Sequence, residues 1–197
     1  KNFLMKIGII TTFREPYKKQ LEVSCDIRLI KFLYYIFGKK TEIIFLDENS
    51  NLNSINLIVV SGGNDIYEKS SKNKLRYKVT KKVLNKSFKL KKNIFGICYG
   101  AQFIAKIYGS KIIKVNNKKR VHYVYFNKLK KKVKVNSFHD YEIKTLNKNF
   151  ENLAVNDEGY IEAFSSKEFN FLCVMWHPER NKKFKKIDKF LLKKYLK

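Results

Sequence analysis

Short apolar runs rich in β-branched residues alternate with longer helix-like stretches in the first half of this 197-residue chain. Apolar runs of this length between turn signals are typical of fully buried strands. Their alternation with helices predicts an α/β fold, with a mainly parallel central sheet covered on both faces. The predicted strands are residues 4–10, 42–46, 57–60 and 93–97, and the predicted helices are residues 19–37, 72–88 and 99–108.

The pattern changes after Gly109, where strand-like runs follow one another without a long helix between them. These runs predict antiparallel additions to the same sheet in the C-terminal half. A last amphipathic helix is predicted, with lysines around an apolar side. A helix that packs on the core is favoured there over one that lies on a membrane surface. No repeat or linker divides the chain, so we expect one domain over residues 1–197. The predicted strands are residues 111–115, 121–127, 132–135, 159–164 and 171–176, and the last helix is residues 182–196.

The formal net charge of +26 is large and raises the question of a polyanionic partner. The excess is almost entirely lysine, with only five arginines, whereas surfaces that read nucleic-acid sequence depend on arginine for bidentate contacts. Lysine, asparagine and isoleucine are all abundant and all use A/T-rich codons, so codon bias explains the lysine excess better than a polyanionic partner does. A nucleic-acid partner is therefore not expected.

The three cysteines are far apart and form no Cys-x-x-Cys pair, which argues against a disulfide framework or a zinc site. No apolar run approaches the roughly 20 residues that span a bilayer. Lys6 interrupts the first apolar run, and no small-residue cleavage site follows it, as a signal peptide would require. We therefore expect a protein of the reducing cytoplasm.

Cys98 lies where a predicted strand runs directly into a predicted helix, with Gly96 and Gly100 on either side. This is the sulfur version of a nucleophile elbow, in which a tight turn presents the nucleophile at the carboxyl end of the sheet. The helix that starts at Tyr99 directs its positive end at the sulfur and favours the thiolate. An inert core cysteine is the alternative, and the flanking glycines argue against it.

A thiolate nucleophile needs a proton shuttle, and the chain has only three histidines. His177 follows an apolar strand and precedes Pro178 and Glu179, so Glu179 could fix the imidazole's orientation and tautomer. His139 is a competing base but lacks an adjacent Pro-Glu pair. His122 lies inside a strand-like run and is given a structural or supporting role.

Two further segments follow predicted strands and carry polar or glycine residues. In Ser61-Gly62-Gly63-Asn64-Asp65, a backbone N–H could stabilise an oxyanion together with the Tyr99 N–H. A plain Gly-Gly turn is the other interpretation. The segment Asn136-Ser137-Phe138-His139-Asp140 could supply polar and backbone contacts to a substrate.

These pieces resemble the class I glutamine amidotransferase superfamily, including its γ-glutamyl hydrolase branch. The matching segments are Ser61-Gly-Gly-Asn-Asp, Gly96-Ile-Cys-Tyr-Gly-Ala-Gln102, Asn136-Ser-Phe-His139 and Trp176-His-Pro-Glu-Arg180. The resemblance implies a flavodoxin-like three-layer fold, a Cys98–His177–Glu179 triad and a γ-glutamyl thioester intermediate, with no metal or organic cofactor. It implies an oxyanion hole at Gly63 and Tyr99, and substrate-binding residues Gly62, Asn64, Gln102, Asn136, Ser137, Phe138 and His139.

The resemblance leaves three functions open. A stand-alone γ-glutamyl hydrolase is favoured because no Walker-type phosphate loop or second nucleotide-binding motif is present. Within the family, the segments are most similar to γ-glutamyl-CDP-amidate hydrolases of capsule phosphoramidate synthesis. A glutaminase subunit that supplies ammonia to a separate synthetase partner would use the same chemistry. A non-catalytic, basic nucleic-acid-binding or regulatory protein is the third possibility.

Overall fold

The computed structural model describes residues 4–18, 20–115, 120–166 and 168–196. The strands in chain order are β1 (Lys6–Ile10), β2 (Thr12–Tyr17), β3 (Gln20–Ser24), β4 (Glu42–Phe45), β5 (Leu57–Val60), β6 (Asn93–Ile97), β7 (Lys111–Lys114), β8 (Val121–Phe126), β9 (Lys131–Asn136), β10 (Tyr141–Thr145), β11 (Glu151–Asn156), β12 (Ile161–Ser166) and β13 (Phe171–Val174). The helices are α1 (Ile27–Phe37), α2 (Ser71–Lys89), α3 (Tyr99–Ile107) and α4 (Lys186–Tyr195), and a 3₁₀ turn covers Pro178–Arg180.

Most strands form one mixed sheet in the order β4-β1-β5-β6-β13-β12-β11-β8-β9, with β10 bridging β12 and β7. The five strands from β4 to β13 pair in parallel, and the strands beyond β13 pair antiparallel. The predicted α/β class, with a parallel core and antiparallel additions in the C-terminal half, is confirmed.

Helices cover both faces of the parallel part of the sheet. The apolar residues of α1 recur at helical spacing, and Leu29, Phe32, Leu33 and Ile36 are buried in a core cluster that also holds Leu191 and Leu192 of α4. The opposite face is covered by α2 and α3, whose apolar residues belong to the other core cluster. This arrangement gives the three layers that the family resemblance implies.

The last helix is fixed to the sheet by a buried polar contact. Trp176 Nε1 donates to Asp188 Oδ1 at 3.0 Å, and both side chains are buried. Burial raises the pKa of Asp188 to about 6, although the Trp176 hydrogen bond acts in the opposite direction. The predicted core-packing role of this helix agrees with its position, although α4 begins at Lys186 rather than at residue 182.

The prediction of a helix over residues 19–37 is wrong in its first part. Lys19 lies outside the described residues, and residues 20–24 form β3, which pairs antiparallel with β2 in a separate two-stranded sheet. The helix begins only after Asp26, whose side chain accepts a hydrogen bond from Arg28 N as an N-cap. Pairing between β2 and β3 outweighs the local helical spacing of the apolar residues.

The C-terminal half holds two strands that the sequence analysis did not predict. These are β10 and β11, which pair with β12 on opposite sides. Within the described part of the chain, no helix combines the length and the apolar character needed to cross a bilayer.

Candidate active site

Cys98 is the single residue between β6 and α3. Its φ of 48° and ψ of −97° lie in a region that non-glycine residues rarely adopt, and strain of this kind clusters at functional sites. Two backbone hydrogen bonds hold this conformation: Cys98 N donates to Val174 O at 2.8 Å, and Cys98 O accepts from Gln102 N at 2.9 Å. The predicted tight turn from strand to helix is therefore present at this residue.

The glycines beside Cys98 allow α3 to pack closely on the sheet. A Cβ atom at Gly100 would lie 2.4 Å from Val60 O, and one at Gly96 would lie 2.8 Å from Cys173 Sγ. Backbone atoms cannot move aside cheaply, so a side chain at Gly100 would push the helix away from β5. Close packing at this point keeps the N-terminus of α3 next to the sulfur.

His177 and Glu179 form a hydrogen-bonded pair beside Cys98. His177 follows β13, and Pro178 then starts the short turn that brings the Glu179 carboxylate back to the imidazole. Glu179 Oε1 lies 2.7 Å from His177 Nδ1, and both side chains are buried. The pair leaves Nε2 as the ring nitrogen available to another group.

The environment of His177 favours its charged form. Burial acts to lower the pKa of His177, but the Cys98 sulfur, through its charge and a hydrogen bond, and the Glu179 carboxylate together raise it to about 9. An imidazolium beside a cysteine favours the thiolate, which is the reactive form of the side chain.

Gly62 packs directly against the imidazole. A Cβ atom at Gly62 would lie 2.3 Å from His177 Cε1 and 3.0 Å from Nδ1. Any other residue at this position would therefore displace the ring from its place between Cys98 and Glu179.

Gly62→Ala is expected to lower kcat by about 100-fold, because a displacement of about 1 Å in a reacting group costs this much. Steady-state kinetics with a γ-glutamyl amide, the substrate class that the family resemblance implies, measure it. Gly159→Ala is the matched control, because Gly159 also resists a side chain, with a φ of +82°, but has no atom within 4 Å of the added Cβ. A Gly62→Ala variant with the wild-type kcat would mean that the position of the His177 ring does not limit the reaction.

A buried arginine holds the loop that contains Gly62 and Gly63. Arg76 of α2 has no exposed surface, and its guanidinium donates hydrogen bonds to Ser61 O, Gly62 O and Gly63 O. It also donates to Asn64 Oδ1 at 3.0 Å. The Gly62 carbonyl is thus turned towards Arg76, and in a trans peptide the Gly63 N–H must point the opposite way.

The same guanidinium lies 3.8 Å from the centroid of the Tyr99 ring. Burial lowers the pKa of Arg76 to about 10, with Tyr99 and Cys98 acting to raise it. Tyr99 is the first residue of α3, where a helical N–H has no carbonyl partner within the helix. Sequence reasoning missed Arg76, although it is the single arginine of a lysine-rich helix.

A cavity of about 210 Å³ opens beside Cys98 and His177. This is smaller than the about 300–1,000 Å³ of pockets for drug-sized ligands, so the cavity suits a small chemical group. Of the predicted site residues, those that line it are Gly63, Asn64, Cys98, Gln102, Phe138, His139 and His177. Of the other lining residues, Asp65, Asp140 and Arg180 lie inside the predicted segments but were given no role of their own. Sequence reasoning missed Tyr141, which directly follows the Asn136–Asp140 segment.

Asn136 contacts the backbone of His177 rather than the cavity. Asn136 Oδ1 accepts from His177 N at 2.8 Å, and Nδ2 donates to His177 O at 2.8 Å and to Asn181 Oδ1 at 3.3 Å. The paired bonds fix where the imidazole leaves the main chain. A substrate contact by Asn136 stays a prediction, as does one by Ser137, whose hydroxyl lies 3.4 Å from His139 Nε2.

His139 is buried within its own hydrogen-bond network. Its Nδ1 lies 3.1 Å from Tyr141 O and 3.6 Å from Glu142 Oε1, and burial lowers its pKa, with Glu162 acting to raise it. Among the described residues, ligand atoms of His139, Glu142 and Glu162 lie within 4.8 Å of one another and could hold a metal ion. Both ring nitrogens of His139 already have protein partners. His122 Nε2 lies 3.0 Å from Glu162 Oε1, which fits its predicted structural role.

The family model for glutamine amidotransferase class-I matches residues 28–194 of the chain. A γ-glutamyl-CDP-amidate hydrolase from Campylobacter jejuni is 36% identical over 128 residues, which are 64% of this chain and 63% of that relative. This match therefore covers less than two thirds of the relative's length. A glutamine-hydrolyzing GMP synthase subunit from Methanococcus aeolicus is 30% identical over 162 residues, 78% of this chain and 79% of the relative.

Two solved structures share the fold. A protein from Thermoplasma acidophilum that is assigned as a GMP synthase subunit has a TM-score of 0.73 and 21% identity, over 99% of this chain and 94% of its own. A glutamine amidotransferase from Thermotoga maritima has a TM-score of 0.68 and 16% identity, over 99% and 83%.

Proposed function

Because this chain belongs to the glutamine amidotransferase class-I family, we propose that it is a cysteine hydrolase that cuts the amide bond of a γ-glutamyl substrate. One observation carries the proposal. A cysteine in a strained elbow conformation lies beside an imidazole whose other nitrogen is 2.7 Å from a buried carboxylate. Cys98 is the nucleophile, His177 the general acid and base, and Glu179 the residue that orients the imidazole.

In the first step, the Cys98 thiolate attacks the γ-carbonyl carbon and forms a carbon–sulfur bond. The carbonyl oxygen becomes an oxyanion, and the N–H groups of Gly63 and Tyr99 stabilise it. The carbon–nitrogen bond then breaks, and the amine leaves with the proton that His177 donates from Nε2. A γ-glutamyl thioester remains on Cys98.

In the second step, water attacks the thioester while His177 takes up one of its protons. The carbon–sulfur bond breaks, glutamate leaves, and the thiolate and imidazolium are restored. Gln102, Asn64, Phe138 and His139 are the residues of the cavity wall that we assign to γ-glutamyl binding. Gln102 Nε2 donates to Tyr141 O at 3.1 Å, so the side-chain carbonyl is left for the substrate amine.

The mechanism predicts a pH dependence of kcat/KM, which reports groups of the free enzyme. Activity is expected to fall as pH rises through about 9, because His177 then loses the proton that it gives to the amine. The pKa of His177 in the folded protein lies above its ordinary value of 6.5, so protonation of His177 stabilises the fold. This stabilisation is complete below pH 6.5 and is lost as pH rises through about 9.

Glu179→Gln is expected to move the alkaline limb to lower pH, because the charge and hydrogen bond of Glu179 both raise the pKa of His177. The measurement is the pH at which kcat/KM falls by half on the alkaline side. It can be compared with wild type even if the variant has a lower rate at every pH. A limb that stays at the wild-type pH would show that Glu179 does not act on His177.

The leaving amine separates two forms of this function. The similarity to a γ-glutamyl-CDP-amidate hydrolase supports a stand-alone hydrolase of a nucleotide-linked phosphoramidate. A role in capsule synthesis in the cytoplasm stays a prediction of the family resemblance. The similarity to glutamine-hydrolyzing GMP synthase subunits supports an ammonia-supplying role with a synthetase partner. Exposed apolar side chains on the β2–β3 hairpin and at the start of α1 favour this second form: Tyr17, Leu21, Val23 and Ile27.

The test is glutamate release by the purified chain from glutamine and from a panel of γ-glutamyl conjugates, one of them nucleotide-linked. Strong turnover of one conjugate supports the stand-alone hydrolase. Weak turnover of glutamine that rises when a synthetase is added supports the ammonia-supplying form. Release from no γ-glutamyl compound under either condition would refute the proposed function.

A further inference from the structure

A second cavity, of about 380 Å³, adjoins the active-site cavity, and Gly63 and Arg180 line both. Among the described residues, its wall includes three arginines, Arg14, Arg28 and Arg180, and no lysine. The chain has 43 basic residues, almost all of them lysine, and only five arginines. An excess of lysine from codon bias therefore does not account for this cavity.

Two of the arginines are held by carboxylates in the same wall. Arg28 makes a forked contact with Asp26, with Nη2 at 2.7 Å from Oδ2 and Nε at 3.0 Å from Oδ1. Arg180 Nε lies 3.8 Å from both Asp26 Oδ2 and Glu179 Oε1. Because Glu179 also binds the His177 imidazole, its charge is shared between two cations.

Arg14 has no such partner. It lies exposed on β2, and no ion pair within the described residues involves it. Its cross-strand neighbour Glu22 accepts a hydrogen bond from Gln20 at 2.9 Å. Among the described residues of this wall, three guanidinium groups thus face two carboxylates, and Arg14 is the arginine without a carboxylate at ion-pair distance.

Guanidinium groups match the oxygen atoms of phosphate with two parallel hydrogen bonds, which a lysine ammonium cannot do. We propose that this second cavity is part of the substrate site and binds a phosphate or diphosphate group carried by the leaving amine. The inference rests on the proposed function for the place of the γ-glutamyl group. It selects the stand-alone hydrolase, since ammonia as a leaving group needs no anion site.

A binding measurement tests the cavity without catalysis. The Cys98→Ser protein is titrated calorimetrically with inorganic pyrophosphate, with and without Arg14→Gln. We expect Arg14→Gln to weaken binding at least about tenfold, the effect of losing one hydrogen bond to a charged group. Arg14→Lys should recover part of the loss, because it restores the charge but not the fork.

Lys81→Gln is the control for net charge, since Lys81 is an exposed residue of α2. It removes the same charge and is expected to leave the dissociation constant within about twofold, as a screened surface charge should. An equal loss in Lys81→Gln and Arg14→Gln would reduce the effect to general surface charge and overturn the proposal. Absence of pyrophosphate binding at millimolar concentration would also overturn it.

A kinetic measurement connects the cavity to the reaction. The ratio of kcat/KM for a γ-glutamyl nucleotide phosphoramidate to that for γ-glutamyl methylamide is compared in wild type and Arg14→Gln. We expect this ratio to fall at least about tenfold. An unchanged ratio, with both substrates hydrolysed, would overturn the phosphate site and leave the proposed function standing. Pyrophosphate binding that depends on Arg14, in a protein that hydrolyses no γ-glutamyl compound, would sustain the anion site and refute the proposed function.

Discussion

Cys98→Ser is expected to lower glutamate release by a factor on the order of 10⁴ or more, while the fold stays intact. The hydroxyl of serine stays protonated near neutral pH, so the imidazolium of His177 no longer faces a preformed nucleophile. Serine has nearly the volume of cysteine and leaves the two backbone hydrogen bonds at residue 98 unchanged. Steady-state kinetics and thermal unfolding of the same preparation measure the two parts of the prediction.

Cys173→Ala is the matched control for the loss of a buried thiol. Cys173 lies in β13 with no exposed surface, and burial raises its pKa well above the ordinary value. Such a thiol is inert, so the control is expected to lose some stability and keep its rate. If Cys98→Ser kept more than about a tenth of the wild-type rate, Cys98 would not be the nucleophile.

The elements that sequence reasoning predicted well are those with a strong local signal. The four parallel strands of the first half are short apolar runs, and α2 and α3 have helical spacing with recognisable ends. The β2–β3 hairpin was missed because its stability comes from pairing across a turn, while the apolar residues from Leu21 to Phe37 also fit a helix. The strands β10 and β11 were missed because their polar, irregular patterns depend on pairing with distant strands, β10 mainly with β7 and β11 with β12.

The site likewise has features that local sequence patterns predict and features that depend on long-range packing. Cys98, His177 and the Ser61–Gly63 segment each follow a strand of the parallel sheet, and such strands end at one edge, so their proximity could be predicted. Arg76 lies 13 to 15 positions from the carbonyl groups that it binds. Only the tertiary packing of α2, which shares a core cluster with β5, brings them together, and no periodicity or motif in the sequence encodes that contact. The same holds for the two hydrogen bonds between the Asn136 side chain and the His177 backbone, which join residues 41 positions apart.

His177→Ala is expected to lower kcat nearly as much as Cys98→Ser, whereas Glu179→Ala should cost less. In the proposed mechanism, His177 both stabilises the thiolate and carries the proton to the amine, and Glu179 acts on the reaction through His177. Members of a triad work as a unit, so their losses of rate do not multiply. We expect the double variant Cys98→Ser/His177→Ala to have nearly the same rate as the slower single variant. Kinetics of the two single variants and the double variant measure this, and a multiplicative loss would mean that the two residues act independently.

His139→Ala separates the general base from a substrate contact. His139 lies in the cavity wall, but burial lowers its pKa, and its ring nitrogens are occupied by Tyr141 O and the Ser137 hydroxyl. We therefore expect the substitution to raise KM more than it lowers kcat. If kcat at saturating substrate fell as far as in His177→Ala, and His177→Ala kept an alkaline limb, His139 would be the base. The thiolate would then need a different partner from the imidazole that lies beside it and has a pKa of about 9.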